Sequence, residues 1–231
     1  MFIIGSLCYY PFVEITDKAE WGGILFTIGS AGFLFSDCFE WSVNNRVGCA
    51  FYTTAEGIDF DRFHQSSTSS SSSFYGKLLS RAENGLNFAM SAVGSLLYLI
   101  GSVFFIPNTH GIFQGTELFI YGSLVIFFSQ MWKLFRQGLD PIEKKINVKR
   151  YWSDLINVFV NSFLGLGAVL FFVGSIFFLP QYNTSEAVTI IAVNLFVIGS
   201  VAFLLSSLCI FYRYFFTENW ILLKHAIQST K

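Results

Sequence analysis

The sequence predicts an all-α integral membrane fold: a multi-pass helical bundle of three tandem two-helix hairpins, with the first hairpin truncated at its N-terminus. Three observations lead there. The 231-residue chain is 53% hydrophobic and 19% aromatic but only 13% charged, with a net charge of −1, and its mean hydropathy is +0.55. Residues 86–116 and 155–185 contain no Asp, Glu, Lys or Arg. A soluble domain spreads charge over its surface, whereas a bilayer core about 30 Å thick takes about 20 apolar residues per helix and requires the backbone to be hydrogen-bonded within the segment. The second observation is a phrase written three times, FIIGSLCYYP at 2–11, YLIGSVFFIP at 98–107 and FFVGSIFFLP at 171–180. Each copy is followed by a second apolar segment with its own Gly-Ser, at Gly29-Ser30, Gly122-Ser123 and Gly199-Ser200. A recurrence of this kind sets the architecture. The third observation is the placement of the cations.

Arg46, Arg62, Lys77 and Arg81 lie between the first and second hairpins, and Lys133, Arg136, Lys144, Lys145, Lys149 and Arg150 between the second and third. Arg213, Lys224 and Lys231 follow the last apolar segment, and Lys18 alone falls in a turn within a hairpin. By the positive-inside rule the inter-repeat segments and the C-terminus face the cytosol and the short turns face outward.

Taken in order, residues 1–43 form the first, partial hairpin. Residues 1–12 are too short to span, since a helix rises only about 1.5 Å per residue and reaches about 18 Å. This segment is either an incomplete copy that lacks its start or a half-inserted helix; the incomplete copy is the expectation adopted. No basic start or small-residue cleavage site marks a signal peptide. The five predicted spans are 20–41, 85–106, 115–135, 155–179 and 187–212. Residues 44–84 read as a flexible cytosolic linker, because SSTSSSSS at 66–73 buries nothing. Residues 85–136 and 155–213 are the second and third hairpins. Between them, 137–154 carries the run DPIEKKINVKRYW, whose cations and aromatics either rest on an anionic leaflet or only fix topology. The tail, 214–231, has the aromatic and Leu content of an interfacial helix.

The repeated residues suggest helix packing. Ser36, Ser129 and Ser206 lie seven residues after their Gly, as Gly101 and Gly174 lie seven after Gly94 and Gly167. Seven residues make two turns, so these small side chains share a face and allow helix backbones to approach in lipid, where packing must drive association. The expected seam comprises Gly5, Ser6, Gly29, Ser30, Ser36, Gly94, Gly101, Ser102, Gly122, Ser123, Ser129, Gly167, Gly174, Ser175, Gly199, Ser200 and Ser206. Pro11, Pro107 and Pro180 are placed to end each first helix and fix the turn, because Pro cannot continue the helical bonding pattern.

Few polar groups remain at membrane depth. Asp37, Gln130 and Ser207 stand eight residues after their Gly, and an intramembrane carboxylate is a functional candidate, although Asp37 also lies near the cytosolic end of its helix, within reach of water. Asn161 and Asn194 lie deeper and suit interhelical hydrogen bonds. Together with Asp37 and Gln130 they define a candidate polar path. The four cysteines and three histidines are scattered, and no phosphate loop, metal-ligand spacing or nucleophile elbow occurs. No enzyme activity, catalytic residue, metal or cofactor is expected. Asn183-Thr184-Ser185 is a formal glycosylation sequon, but its short turn holds it close to the bilayer.

LFFVGSIFFLP and LFVIGSVAFLL, with an Asn upstream and an Arg after the second helix (Arg213, compare Arg136 and Arg46), resemble the YrhK domain, a small two-helix membrane module. The resemblance covers residues 84–136 and 157–213, and 2–46 in part. It implies an integral membrane protein with no established activity and supplies no catalytic residues. The sequence thus points to a non-enzymatic membrane scaffold or assembly module. Its expected partners are the lipid bilayer and other membrane proteins or further copies of itself, and nucleic acid is not among them. The alternative is a small transporter or ion channel using Asp37, Gln130, Asn161 and Asn194.

Overall fold

A computed structural model of the protein describes residues 1–14, 16–47, 74–107, 111–139 and 146–213. Within them the chain is helical: α1 (Phe2–Leu7), α2 (Lys18–Val47), α3 (Phe74–Phe104), α4 (Ile112–Gly138), α5 (Val148–Ser153), α6 (Leu155–Phe178) and α7 (Glu186–Tyr212). The only β pairing among the described residues is an isolated bridge between Leu139 and Ile146.

Four segments are long and apolar enough to cross a membrane: Gly85–Phe104, Ile112–Gly138, Leu155–Phe178 and Glu186–Tyr212. They match four of the five expected spans and fit a multi-pass membrane protein. The fifth, 20–41, lies within α2, a continuous 30-residue helix that is not among these four.

The linker boundary also shifts. Helix α3 begins at Phe74, inside the stretch 44–84 read as flexible, because FYGKLLSRAEN is rich in good helix formers and extends the following helix backwards. The serine tract 66–73 and the tail 214–231 lie outside the described residues.

Neighbouring helices pack in the order α1–α2–α3–α4–α6–α7, and α7 returns to touch α1. Paired contacts show that neighbours run antiparallel: Gly94 faces Gly122 while Gly101 faces Gly115, and Gly167 faces Gly199 while Gly174 faces Ala192. Local caps set several helix starts. Asp154 accepts from the Asn157 amide at 3.2 Å to begin α6, and Ser185 accepts from the Val188 amide at 3.4 Å to begin α7. Both are preferred N-cap residues because the side-chain oxygen satisfies an otherwise orphaned amide.

Aromatic layers fill the middle of this arrangement. Tyr9, Phe105 and Phe178 each stand four residues after their Gly and meet in a closed trio, with ring centroids 5.8 to 6.2 Å apart. Three residues before the same glycines stand Phe2, Tyr98 and Phe171; Phe171 lies 5.8 Å from each of the other two. Phe26 lies 5.9 Å from Phe119 and 6.3 Å from Phe196, and those three precede the Gly of the second segments by three residues. Such separations are the favourable range for tilted and edge-to-face aromatic pairs.

Candidate functional site

The small residues of the repeated phrase lie where helices come closest. A Cβ at Gly115 would sit 2.8 Å from the Gly101 carbonyl oxygen, and one at Gly101 would sit 3.0 Å from that of Gly115. The same reciprocity holds between Gly94 and Gly122, at 3.2 and 3.1 Å, and between Gly167 and Gly199, at 3.0 and 3.2 Å. Gly174 approaches the Ala192 carbonyl at 3.2 Å, where the residue matching Gly115 is Ala192. In α1 and α2 the pattern differs, because rings occupy the space: Gly5 meets Phe26, and Gly29 meets Phe2.

The serines divide by partner. Ser6 and Ser200 donate back to the Phe2 and Phe196 carbonyls of their own helices, whereas Ser30 and Ser102 bond to each other across α2 and α3 at 2.8 Å. Ser129 on α4 donates to Asn87 Oδ1 on α3 at 2.9 Å, and Ser206 on α7 donates to the Val160 carbonyl on α6 at 2.9 Å. Asn87 and Val160 both stand fourteen residues before their Gly, so the two bonds are equivalent in register. Ser36, expected in the same seam, is exposed. Helix α1 starts at Phe2, whose ring packs on Gly29 and Phe33, so α1 ends before it reaches the level of Ser36.

One departure from the repeat rewires a hydrogen bond. Tyr98 stands where the other copies have Phe2 and Phe171, and its hydroxyl takes Ser123 Oγ at 2.7 Å. Ser175, the counterpart of Ser102, is left buried with no partner for its hydroxyl. In α2 and α3 the matching pair, Ser30 and Ser102, meets without interference because no hydroxyl competes for it.

The prolines follow helix ends at different distances. Pro107 and Pro180 come three and two residues after α3 and α6 end, but α1 ends at Leu7, four residues before Pro11. A different device holds that first turn: Lys18 Nζ donates to the carbonyls of Tyr10, Pro11 and Val13 at 3.3, 3.1 and 3.0 Å. The one cation within a predicted hairpin turn is thus engaged by backbone. Asn183 of the sequon accepts from Thr189 at 2.7 Å within its own turn.

The four residues of the expected polar path do not converge. Asp37 lies between α2 and α3, where its carboxylate oxygens accept from Ser91 at 2.8 Å and Ser95 at 2.5 Å. Trp41 and Phe88 stack at 4.5 Å a turn further on. Ser91 and Ser95 lie within the apolar stretch Gly85–Phe104 of α3. Asp37 is half-buried, and two serines of the neighbouring helix hold its carboxylate. Gln130 and Asn161 are buried on the facing helices α4 and α6, and Gln130 Oε1 has no partner. Asn194 is exposed on α7 and accepts from the Tyr10 hydroxyl.

The aromatic layers and the Ser91–Ser95 bracket were not singled out in the sequence. The aromatic positions did carry a signal, their fixed offset from each Gly-Ser, whereas Ser91 and Ser95 match nothing in the other copies. Two surface grooves are apolar; one lies between α6 and α7, lined by Phe159, Phe163, Leu205 and Cys209, and the other between α4 and α6, lined by Phe127, Ala168 and Phe172. No group of three or more His, Cys, Asp or Glu gathers among the described residues.

Residues 153–214, which contain α6 and α7, match the family model described as YrhK-like protein. No curated protein and no solved structure is significantly similar to the chain.

Proposed function

We propose that the YrhK-like segment is one of three tandem hairpins, α1–α2, α3–α4 and α6–α7, closed around an aromatic centre, and that the assembly is a non-enzymatic membrane scaffold. The observation that carries this reading is the aromatic filling. Equivalent positions of all three copies contribute Tyr9, Phe105 and Phe178 to one trio, where a conducting protein would keep a polar lumen. Seven of the nine seam serines support it too, because they are spent on bonds between or within helices. In this reading the small-residue seam is the means of assembly, the inter-repeat linkers and the C-terminus face the cytosol, and the partners are lipid and other membrane helices.

A second reading, a transporter or channel, is favoured by one observation: a carboxylate held at membrane depth by two serine hydroxyls. Holding such a group in a bilayer is costly and commonly marks an ion or proton pathway. The two readings part in reconstituted liposomes. A scaffold leaves the vesicles tight to ion and proton gradients with wild type and Asp37→Asn alike; flux that Asp37→Asn removes overturns the scaffold and puts Asp37 on a transport route. Cysteines introduced at Ser70 and Tyr182 test the orientation, which requires them to label from opposite faces.

A further inference from the structure

The short helix α5 lies between the end of one membrane-crossing helix, Gly138, and the start of the next, Leu155. Four contacts hold it in place. The Tyr151 ring fills the space that a side chain at Gly138 would need, the Asn147 amide donates to the Gly138 carbonyl at 2.8 Å, and Gln137 Nε2 donates to the Asp154 carbonyl at 2.9 Å. Asn147 also caps the helix through the Lys149 amide. A segment tied this closely to two spans is confined to the membrane boundary.

Beside Tyr151, α5 carries apolar side chains that are open. Val148 and Trp152, one turn apart, are 62% and 70% exposed, and Ile146 just before them is 57% exposed. Exposed with them is Lys149, followed by Arg150 and preceded in the sequence by Lys144 and Lys145. A tryptophan with an aliphatic neighbour fits the boundary between headgroup and acyl chain, where an amphipathic ring has one wet and one apolar side. Cations at that level meet the negative potential of anionic lipids.

We propose that α5 is an interfacial binding site for anionic lipid headgroups, with Val148 and Trp152 entering the acyl boundary and Lys149 and Arg150 of the same helix taking the headgroup charge. Lys149 and Arg150 here do more than set topology, since they sit beside the residues that place them at headgroup level. The site needs neither the scaffold nor the transport reading, only the membrane position of α4 and α6.

The test uses the full chain in nanodiscs of phosphatidylcholine containing an equal fraction of either brominated phosphatidylserine or brominated phosphatidylcholine. Both leaflets are alike, so the outcome does not depend on orientation. The signal is the bromine quenching of wild type minus that of Trp152→Phe, a change at an exposed ring that leaves the packing intact. Phosphatidylserine should quench Trp152 about twofold more than phosphatidylcholine, as expected for local enrichment by several surface cations. The excess should fade in about 1 M salt, where the screening length falls to about 3 Å, and in the double variant K149Q/R150Q. Equal quenching by the two lipids, no quenching by either, or an excess that persists in K149Q/R150Q overturns the proposal.

Discussion

Gly115→Ala is the sharpest test of how the helices are held together. The added methyl would lie 2.8 Å from the Gly101 carbonyl oxygen and 3.0 Å from Phe104 Cβ, whereas ordinary contact begins at 3.4 Å. Neither obstacle is the free end of a side chain, so α3 and α4 must part by about 0.6 Å, a gap that forfeits a quarter or more of each contact's attraction along the seam. Overpacking of this sort costs about 1–3 kcal/mol, and the better helix propensity of Ala returns about 1 kcal/mol. The net expectation is a loss of up to about 2 kcal/mol. Gly32→Ala is the matched control, because nothing lies within 4 Å of a Cβ there; propensity alone operates and stability should rise by up to about 1 kcal/mol. Unfolding in mixed micelles by titration with SDS, followed by ellipticity, gives both values. A Gly115→Ala protein stabilised as much as Gly32→Ala, or a Gly32→Ala protein equally damaged, refutes the close-approach reasoning.

Other perturbations separate the remaining contacts. Ser123→Ala should cost about 1–3 kcal/mol because it strands the buried Tyr98 hydroxyl, whereas Tyr98→Phe should change stability by less than about 1 kcal/mol, since it frees Ser123 as the other copies have it; the same micelle titration ranks them. Lys18→Met should leave three carbonyls of the first turn without their donor, costing about 1 kcal/mol and speeding limited proteolysis between Tyr10 and Asp17; unchanged cleavage would show that the turn holds without it. Ser129→Ala should be more damaging than Ser36→Ala, because Ser129 is buried and bonded to Asn87 while Ser36 is exposed; equal losses in thermal stability would refute the difference in their surroundings.

Much of the helix layout was legible because a bilayer imposes simple requirements. Uncharged runs had to be helices, and the triple Gly-Ser marked where those helices approach. The four strongest spans therefore fall close to the expected positions, and Gly94, Gly101, Gly122 and Gly167 sit at close crossings. The failures have equally physical causes. Periodicity placed Ser36 in the seam, but a face is buried only if something lies opposite it. Position along α2 placed Asp37 near the end of its helix but could not show Ser91 and Ser95, which reach it from a helix more than fifty residues away. Single-sequence reasoning gives the register within a helix well and the identity of its neighbours poorly. The linker misjudgement has another source: composition marks the serine tract but not the point, Phe74, at which good helix formers resume.

The contacts of α1 with α6 and α7 have a consequence for how the protein is made. Phe2 meets Phe171 and Phe203, residues that leave the ribosome long after it. While α2 to α6 are being inserted, α1 therefore has only one of its two flanking helices, and the aromatic trio lacks Phe178. Closing the chain from α1 to α6 and α7 must precede these contacts, and closure entropy of that kind delays folding. Helix α1 is therefore seated only when α7 arrives, so a chain arrested before α7 should leave α1 accessible to protease.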